Sequence, residues 1–296
     1  MNIPWDDVRL FLAIAETGSL SGAAKRLRVG QPTVSRRLAQ LEHELGAALF
    51  RRRATGVTPT EAAERLLEPA RKMAEQAGEI ARAASRGAAA PAGLVRIATA
   101  PGVAFEFVAP FAAWLRERHP ELRLEVLSSI EYLDLARGEA HLALRLRAPP
   151  PGDLTVVASL RHRNAVFVSK DYAARLPKRP KLSELRWIGW APPYDQVPPN
   201  PQLAALIPGF EPVFTADNFL VQLRAAEAGL GAMILGDVPH RFAAPRPRPL
   251  VPLDVSLGPY AHADMHLVCA KSALDISRVR RVAELLAEEL RRLSRA

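Results

Sequence analysis

The chain has 296 residues, 49% hydrophobic and 24% charged, the composition of a globular protein of about two domains. Its formal charge of +9 favours a polyanionic partner, and the excess is spread along the chain, with 14 basic against 10 acidic residues in 1–93 and 26 against 21 beyond. No apolar run reaches membrane-spanning length and no signal-peptide pattern opens the chain, so a cytoplasmic protein that does not engage the membrane is expected; a single cysteine, Cys269, excludes a two-cysteine redox switch.

The first element is an amphipathic helix over 5–16, with Val8, Phe11, Leu12 and Ala15 on one stripe and Gly18 as its stop. Ser19 caps a short second helix, 20–27, whose Ala23 and Ala24 allow another helix to cross closely. Arg28-Val29-Gly30 makes the turn, and a third helix with Pro32 in its first turn runs to Leu45 before Gly46. Val34, Leu38, Leu41 and Leu45 share its inner face, leaving Pro32, Arg36, Ala39, Gln40 and His43 opposite, flanked by Thr33 and Ser35. That is a helix-turn-helix whose outward face suits base edges and phosphates in a major groove. Leu49 and Phe50 anchor the next segment, and 51–57 reads as two short strands around a glycine turn, a wing carrying Arg51, Arg52 and Arg53.

Thr58-Pro59-Thr60-Glu61 fits a capping box, with Thr60 as a rival cap, and opens a helix extending to about Arg86. Leu66, Ala70, Met73, Ala77, Ile80 and Ala84 form a narrow apolar seam along about 40 Å with no expected local partner, so the helix should pair with a second copy. Two recognition helices on a two-fold axis would read an imperfect inverted repeat in double-stranded DNA. The small residues of 87–93 make a hinge.

Beyond the hinge, strands and helices alternate. A strand at 94–98, a helix from about Val103 to His119-Pro120, a strand at 122–127, a helix closing at Arg137-Gly138 and a strand at 141–146 predict a parallel sheet covered by helices. Strands at 187–190, 212–214 and 231–235, a helix at 218–227, a strand around Cys269 and a helix at 275–293 follow. In such a fold the ligand crevice lies beyond the carboxyl ends of the strands.

Ala23-Ala24, Gln31 to Arg36, Leu41-Glu42 with Leu45-Gly46, Leu49-Phe50 with Arg52, and Thr60-Glu61-Ala62 together resemble the N-terminal pattern of LysR-type transcriptional regulators. Gly30 stands where that family usually has a capping Ser, and Ala63 where it often has Gly. Looser matches, including Leu94 to Ile97, Leu135 to Gly138 and Ala228 to Gly231, extend the resemblance to the end of the chain, with His141 replacing a common Asp. The resemblance implies an all-α winged helix-turn-helix with a long linker helix, followed by an α/β two-lobed effector domain like periplasmic solute-binding proteins. It also implies a dimer or tetramer, control by a small-molecule effector, and contact with RNA polymerase.

The expected division is 1–59 for DNA binding, 60–86 for the linker, 87–93 for the hinge and 94–296 for the effector domain. Lobe 1 covers about 94–160 and 266–296, and lobe 2 about 161–265. Thr33 and Arg36 are expected to touch bases, Gln31, Pro32, Ser35, Arg37 and Gln40 to dock the helix, and Arg52 and Arg53 to hold the backbone. At strand ends and helix starts, Thr99, Ala100, Pro101, Ser128, Ser129, Arg145, Trp190, Asp217 and Asn218 are the candidate effector contacts. Hydroxyls, helix-start N–H groups and an arginine suit a small organic anion. Dinucleotide, P-loop and nucleophile-elbow motifs are absent and the seven histidines form no ligand cluster, so no catalytic residue, metal or cofactor is expected. The competing reading is an α/β ligand-binding or enzymatic protein with an architectural DNA-binding module.

Overall fold

The computed structural model describes residues 3–53, 56–84, 91–242 and 249–295. The chain divides into two compact units, 1–89 and 90–296.

In the first unit α1 (Trp5–Thr17) is the central element, burying Val8 and every residue from Leu10 to Ile14. Around it pack α2 (Leu20–Leu27), α3 (Gln31–Leu45), the hairpin β1 (Phe50–Arg53) and β2 (Gly56–Pro59), and α4 (Glu61–Ala84). Ala23 and Ala24 of α2 and Val34, Leu38 and Leu41 of α3 complete the core, with the Phe11 and Phe50 rings 5.6 Å apart. Ser19 caps α2 by accepting from the Gly22 N–H, and Gly18 and Gly46 end α1 and α3 in left-handed geometry, as their sequence positions predict.

Two expectations about α4 are corrected. Thr58 and Pro59 are taken up by pairing with Arg51 and Phe50, so the cap is Thr60, whose Oγ1 accepts from the Ala63 N–H. The apolar seam does have a local partner over its first half: Ala63, Leu66, Leu67, Ala70 and Ala74 pack on the domain core. Met73, at the edge of that contact, is 44% exposed, and farther out Ile80 is 71% exposed. The wing turn at 54–55, the helix end at 85–86 and hinge residues 87–90 lie outside the described residues.

The second unit is built on a sheet of seven strands among the described residues: β3 (Gly93–Thr99), β4 (Leu122–Ser128), β5 (Leu142–Arg145), β6 (Leu154–Ser169), β9 (Met233–Asp237), β10 (Leu250–Leu253) and β11 (His262–Ala270). The parallel order expected of the first three strands holds, and the sheet as a whole is mixed. β3 is parallel to β4 and β5, but β11 runs antiparallel to β5 and β6, and β6 is antiparallel to β9 and β10. The reason is β6, a 16-residue strand with no counterpart in the sequence reading, which leaves lobe 1 beside β11 and enters lobe 2 between β9 and β10. The helix expected before Gly138 is also absent. Asp134 instead accepts from the N–H groups of Ala136 and Arg137, folding the segment into turns that compete with helix.

Lobe 1 is covered by α5 (Pro101–Val103), a π turn over Ala104–Val108 and α6 (Ala109–Arg118) in direct succession, and by the C-terminal α10 (Ser277–Leu293), whose buried stripe runs from Val279 to Leu293. The lobe 1 core also includes Phe242, from the segment following β9. Lobe 2 adds α7 (Lys170–Ala173), β7 (Ile188–Trp190), α8 (Asn200–Leu206), β8 (Phe214–Ala216) and α9 (Phe219–Glu227), with β7 and β8 as a small parallel pair. β8 lies two residues later than the sequence pattern suggests.

Candidate nucleic-acid interface and effector crevice

The geometry of the first unit is fixed by polar ties from the wing to the ends of α3 and α1. The Glu42 carboxylate accepts from the N–H groups of Leu49 (2.6 Å) and Phe50 (3.1 Å), setting the wing against the helix. The Val57 N–H donates to the Gly18 carbonyl (2.8 Å), and Gly56, at φ 139°, lies so close to that oxygen that a Cβ would overlap it. These ties hold wing and recognition helix as one surface.

On α3, Gln31, Pro32, Arg36 and Gln40 are exposed and Thr33, Ser35 and Arg37 half-buried. Gln40 donates to Glu44 (3.0 Å). The arginines of this unit fall into two groups. Arg9, Arg26, Arg37 and Arg65 pair with Asp6, Glu16, Asp7 and Glu61, whereas Arg28, Arg36, Arg51, Arg53 and, on α4, Arg71 have no ion pair among the described residues. Arg37 is the most engaged, giving both Nε (3.0 Å) and Nη2 (2.5 Å) to Asp7 of α1, so it ties α3 to α1 instead of pointing outward alone. Arg53 donates to Thr58 Oγ1 (3.4 Å) and is exposed, as is Arg51 on the same hairpin face; the Arg52 side chain lies outside the described residues. Arg28 is an outward cation that sequence reasoning placed only in the turn, not among the DNA contacts.

In the second unit, Thr99 is buried and its hydroxyl donates to the Leu144 carbonyl (3.0 Å), while Ala100 and Pro101 begin α5 beside it. Register places Ser128 opposite Thr99, and the Ser129 N–H donates to the Thr99 carbonyl (3.0 Å) while its hydroxyl accepts from Glu131. Asn218 caps α9 by accepting from Leu220, next to exposed Asp217. The two lobes meet at this point: a Cβ on Gly102 would lie 3.2 Å from the Phe219 ring, Phe105 stands 6.4 Å from Phe219 between centroids, and Ile130 packs against the lobe 2 core. The structure thus brings Thr99, Ala100, Pro101, Ser128 and Ser129 around one strand end, with Asn218 introduced across the lobes through Phe219.

Two candidates are committed to the framework. The Arg145 guanidinium donates to the Leu133 carbonyl (2.6 Å) beneath the Tyr132 ring, 4.8 Å from its centroid, and burial holds its pKa below the ordinary arginine value. Trp190 gives its indole N–H to the Pro198 carbonyl (3.1 Å) and is locked by Asn200, which bonds both its N–H and its carbonyl. Gly102, Phe105, Ile130 and Phe219 meet between the lobes without having been read from sequence. The available signal was the aromatic pair itself, one member opening each of two predicted helices. Among the described residues no group of three or more His, Cys, Asp and Glu side chains could hold a metal, and no helix is long and apolar enough to cross a membrane.

A winged helix-turn-helix followed by a two-lobed α/β sensor defines a ligand-responsive DNA-binding regulator. The chain belongs to the LysR family of transcriptional regulators: residues 5–64 match the bacterial regulatory helix-turn-helix protein, lysR family, and residues 88–291 match the LysR substrate binding domain. It is 32% identical over 235 residues to the Mau operon transcriptional activator of Paracoccus denitrificans, covering 79% of each chain. A full-length OxyR structure from Pseudomonas aeruginosa superposes with a TM-score of 0.64 at 20% identity, covering 99% of this chain and 96% of that one. CbnR complexed with its target DNA gives 0.61 at 21% identity, covering 94% and 99%. These likenesses agree with the fold expected from the sequence.

Proposed function

We propose that this protein is a non-enzymatic transcription factor of the cytoplasm that reads an imperfect inverted repeat as a dimer and answers to a small organic anion. The observation that carries the DNA half is the division of the arginines. Arg37 is held inward by Asp7, whereas Arg28, Arg36, Arg51 and Arg53, around the outer face of α3 and the wing, are exposed and have no ion pair among the described residues, which supports a surface kept available for a polyanion. Thr33 and Arg36 read bases, Gln31, Pro32, Ser35 and Gln40 seat the helix, Arg37 acts by holding α3 on α1, and Arg52 and Arg53 follow the backbone. The working division is DNA binding by 1–59, a linker at 60–86, a hinge at 87–93 and sensing by 94–296.

Dimerisation through α4 is supported by an open apolar depression of about 80 Å³ lined by Leu41, Leu45, Leu66, Pro69 and Met73. Pairing of sensor domains would make a tetramer, and effector-driven lobe closure would change its contact with DNA and polymerase. The effector lies where Gly102 and Val103, in the first turn of α5, offer N–H groups without intrahelical acceptors, beside Thr99, Ser128 and Ser129. Arg145 and Trp190 shape its walls.

The test is fluorescence anisotropy of wild type and Arg36→Ala on a duplex enriched from a random pool, across a salt series. Affinity that falls steeply with salt and drops in the variant on the enriched duplex supports the reading. Equal affinity for enriched and random DNA in both proteins refutes it.

A further inference from the structure

We propose that Arg28, in the turn between α2 and α3, contacts a DNA phosphate and is kept in a strained backbone conformation for that contact. The inference rests on the DNA-binding reading above. Arg28 has φ 57° and ψ 43°, and among the described residues it is the non-glycine residue in left-handed geometry. Its N–H closes α2 on the Lys25 carbonyl (3.3 Å), and the next N–H, of Val29, returns to the Ala24 carbonyl (3.1 Å). Glycine is the residue suited to such a helix end, and this domain uses it at the ends of α1 and α3, where Gly18 and Gly46 have φ 63° and 66°. At the third such end the chain carries arginine, against the steric preference of an L side chain.

Nothing inside the fold repays that choice. The Arg28 side chain is exposed and has no ion pair or hydrogen bond among the described residues, although its neighbour Arg26 finds Glu16 at 2.6 Å. Its place supplies the reason. Arg28 stands two residues before Gly30, the N-cap of α3. In a helix-turn-helix the first helix crosses the sugar-phosphate backbone while the start of the second enters the groove, so the turn between them faces phosphate. A guanidinium there meets a phosphate bidentately and carries no base information. Strain retained at a position without an internal partner is the pattern of a binding residue.

The experiment compares full-length wild type, Arg28→Gly and Arg28→Lys by thermal melting and by anisotropy on an enriched duplex and a random duplex of equal length. Arg28→Gly should melt at or above the wild-type temperature yet bind both duplexes about tenfold more weakly. Its slope of log affinity against log salt should be shallower by about 0.9 per bound protomer, and Arg28→Lys should keep most of that slope. Unchanged affinity and slope in Arg28→Gly, a loss confined to the enriched duplex, or a lowered melting temperature would each overturn the proposal. Wild type that binds neither duplex overturns the DNA-binding reading itself, which the Arg36→Ala comparison identifies separately.

Discussion

Arg37 of α3 and Asp7 of α1, thirty positions apart, are joined by two hydrogen bonds to a single carboxylate oxygen, at 3.0 and 2.5 Å. The adjacent Arg36 has no ion pair among the described residues and is exposed. Two neighbouring arginines of one motif therefore have different duties. Arg37→Ala should destabilise the N-terminal domain by about 1 kcal/mol, a figure kept low because the Arg37 side chain is 36% exposed. Arg36→Ala should leave stability within about 0.5 kcal/mol and lower DNA affinity directly. Chemical denaturation of the two variants checks this, and equal destabilisation would refute the division.

Gly56 holds the wing on the turn after α1, because its φ of 139° and its approach to the Gly18 carbonyl both exclude a side chain. Gly56→Ala should cost about 2 kcal/mol or more and loosen β1 and β2. The affected charges include Arg51 and Arg53, so DNA affinity should fall with a shallower salt slope. A variant with wild-type melting temperature and salt slope would show that the wing tolerates the change.

The helix-turn-helix is legible because its determinants are local: Ser19, Gly30 and Gly46 punctuate it, and Val34, Leu38 and Leu41 repeat at helical spacing. The lobe-crossing strand β6 is not, because Arg161-His162-Arg163-Asn164 interrupts its apolar ends where the strand passes between lobes and one edge of the alternation stays exposed. The segment before Gly138 reads as helix because Arg137-Gly138 has the look of a helix stop, but the Asp134 carboxylate captures the N–H groups of Ala136 and Arg137 that a helix would use. In the crevice, strand ends such as Thr99 and Ser128 follow from topology. Phe219 against Gly102, and Leu133 against Arg145, depend on tertiary approach that no local pattern encodes.

Glu289 is wholly buried in α10 and accepts from Arg292 Nη2 (2.7 Å) and from the Arg241 N–H (2.8 Å), fastening the segment that returns from lobe 2. Burial alone would raise its pKa, but the hydrogen bonds from Arg292 and Arg241 outweigh it and hold the carboxyl below the ordinary glutamate value. A depressed folded pKa stabilises fully above the unfolded value, near 4.3, and the gain is lost as pH falls through the folded value. Glu289→Gln should therefore cost about 2 kcal/mol at pH 7 and progressively less below about pH 4. Denaturant midpoints of both proteins measured across that range test it; a difference that does not shrink in acid contradicts the assignment.

Cys269 is fully buried on β11, and burial pushes its thiol up to about 11, so almost no thiolate exists at neutral pH. The native protein should react with a disulfide reagent such as dithiobis(nitrobenzoate) only as fast as its sensor domain opens, with a rate rising steeply in denaturant. Prompt reaction of the folded chain would contradict the burial.

Phe219 spans the lobes, packed on Gly102 and facing Phe105, at the place proposed for the effector. An anion seated at the start of α5 must lie against this ring or displace it, so the ring sets the space available. Phe219→Ala should lower the sensor domain's stability by about 3 kcal/mol, the low end for truncating a buried phenylalanine, because the ring faces the half-exposed Phe105. It should also admit bulkier carboxylic acids than wild type does, whereas Gly102→Ala, which presses a methyl toward the ring, should exclude them. Isothermal titration of the three proteins with a graded series of aliphatic and aromatic carboxylates decides the matter. An identical size preference in all three would place the effector away from Phe219.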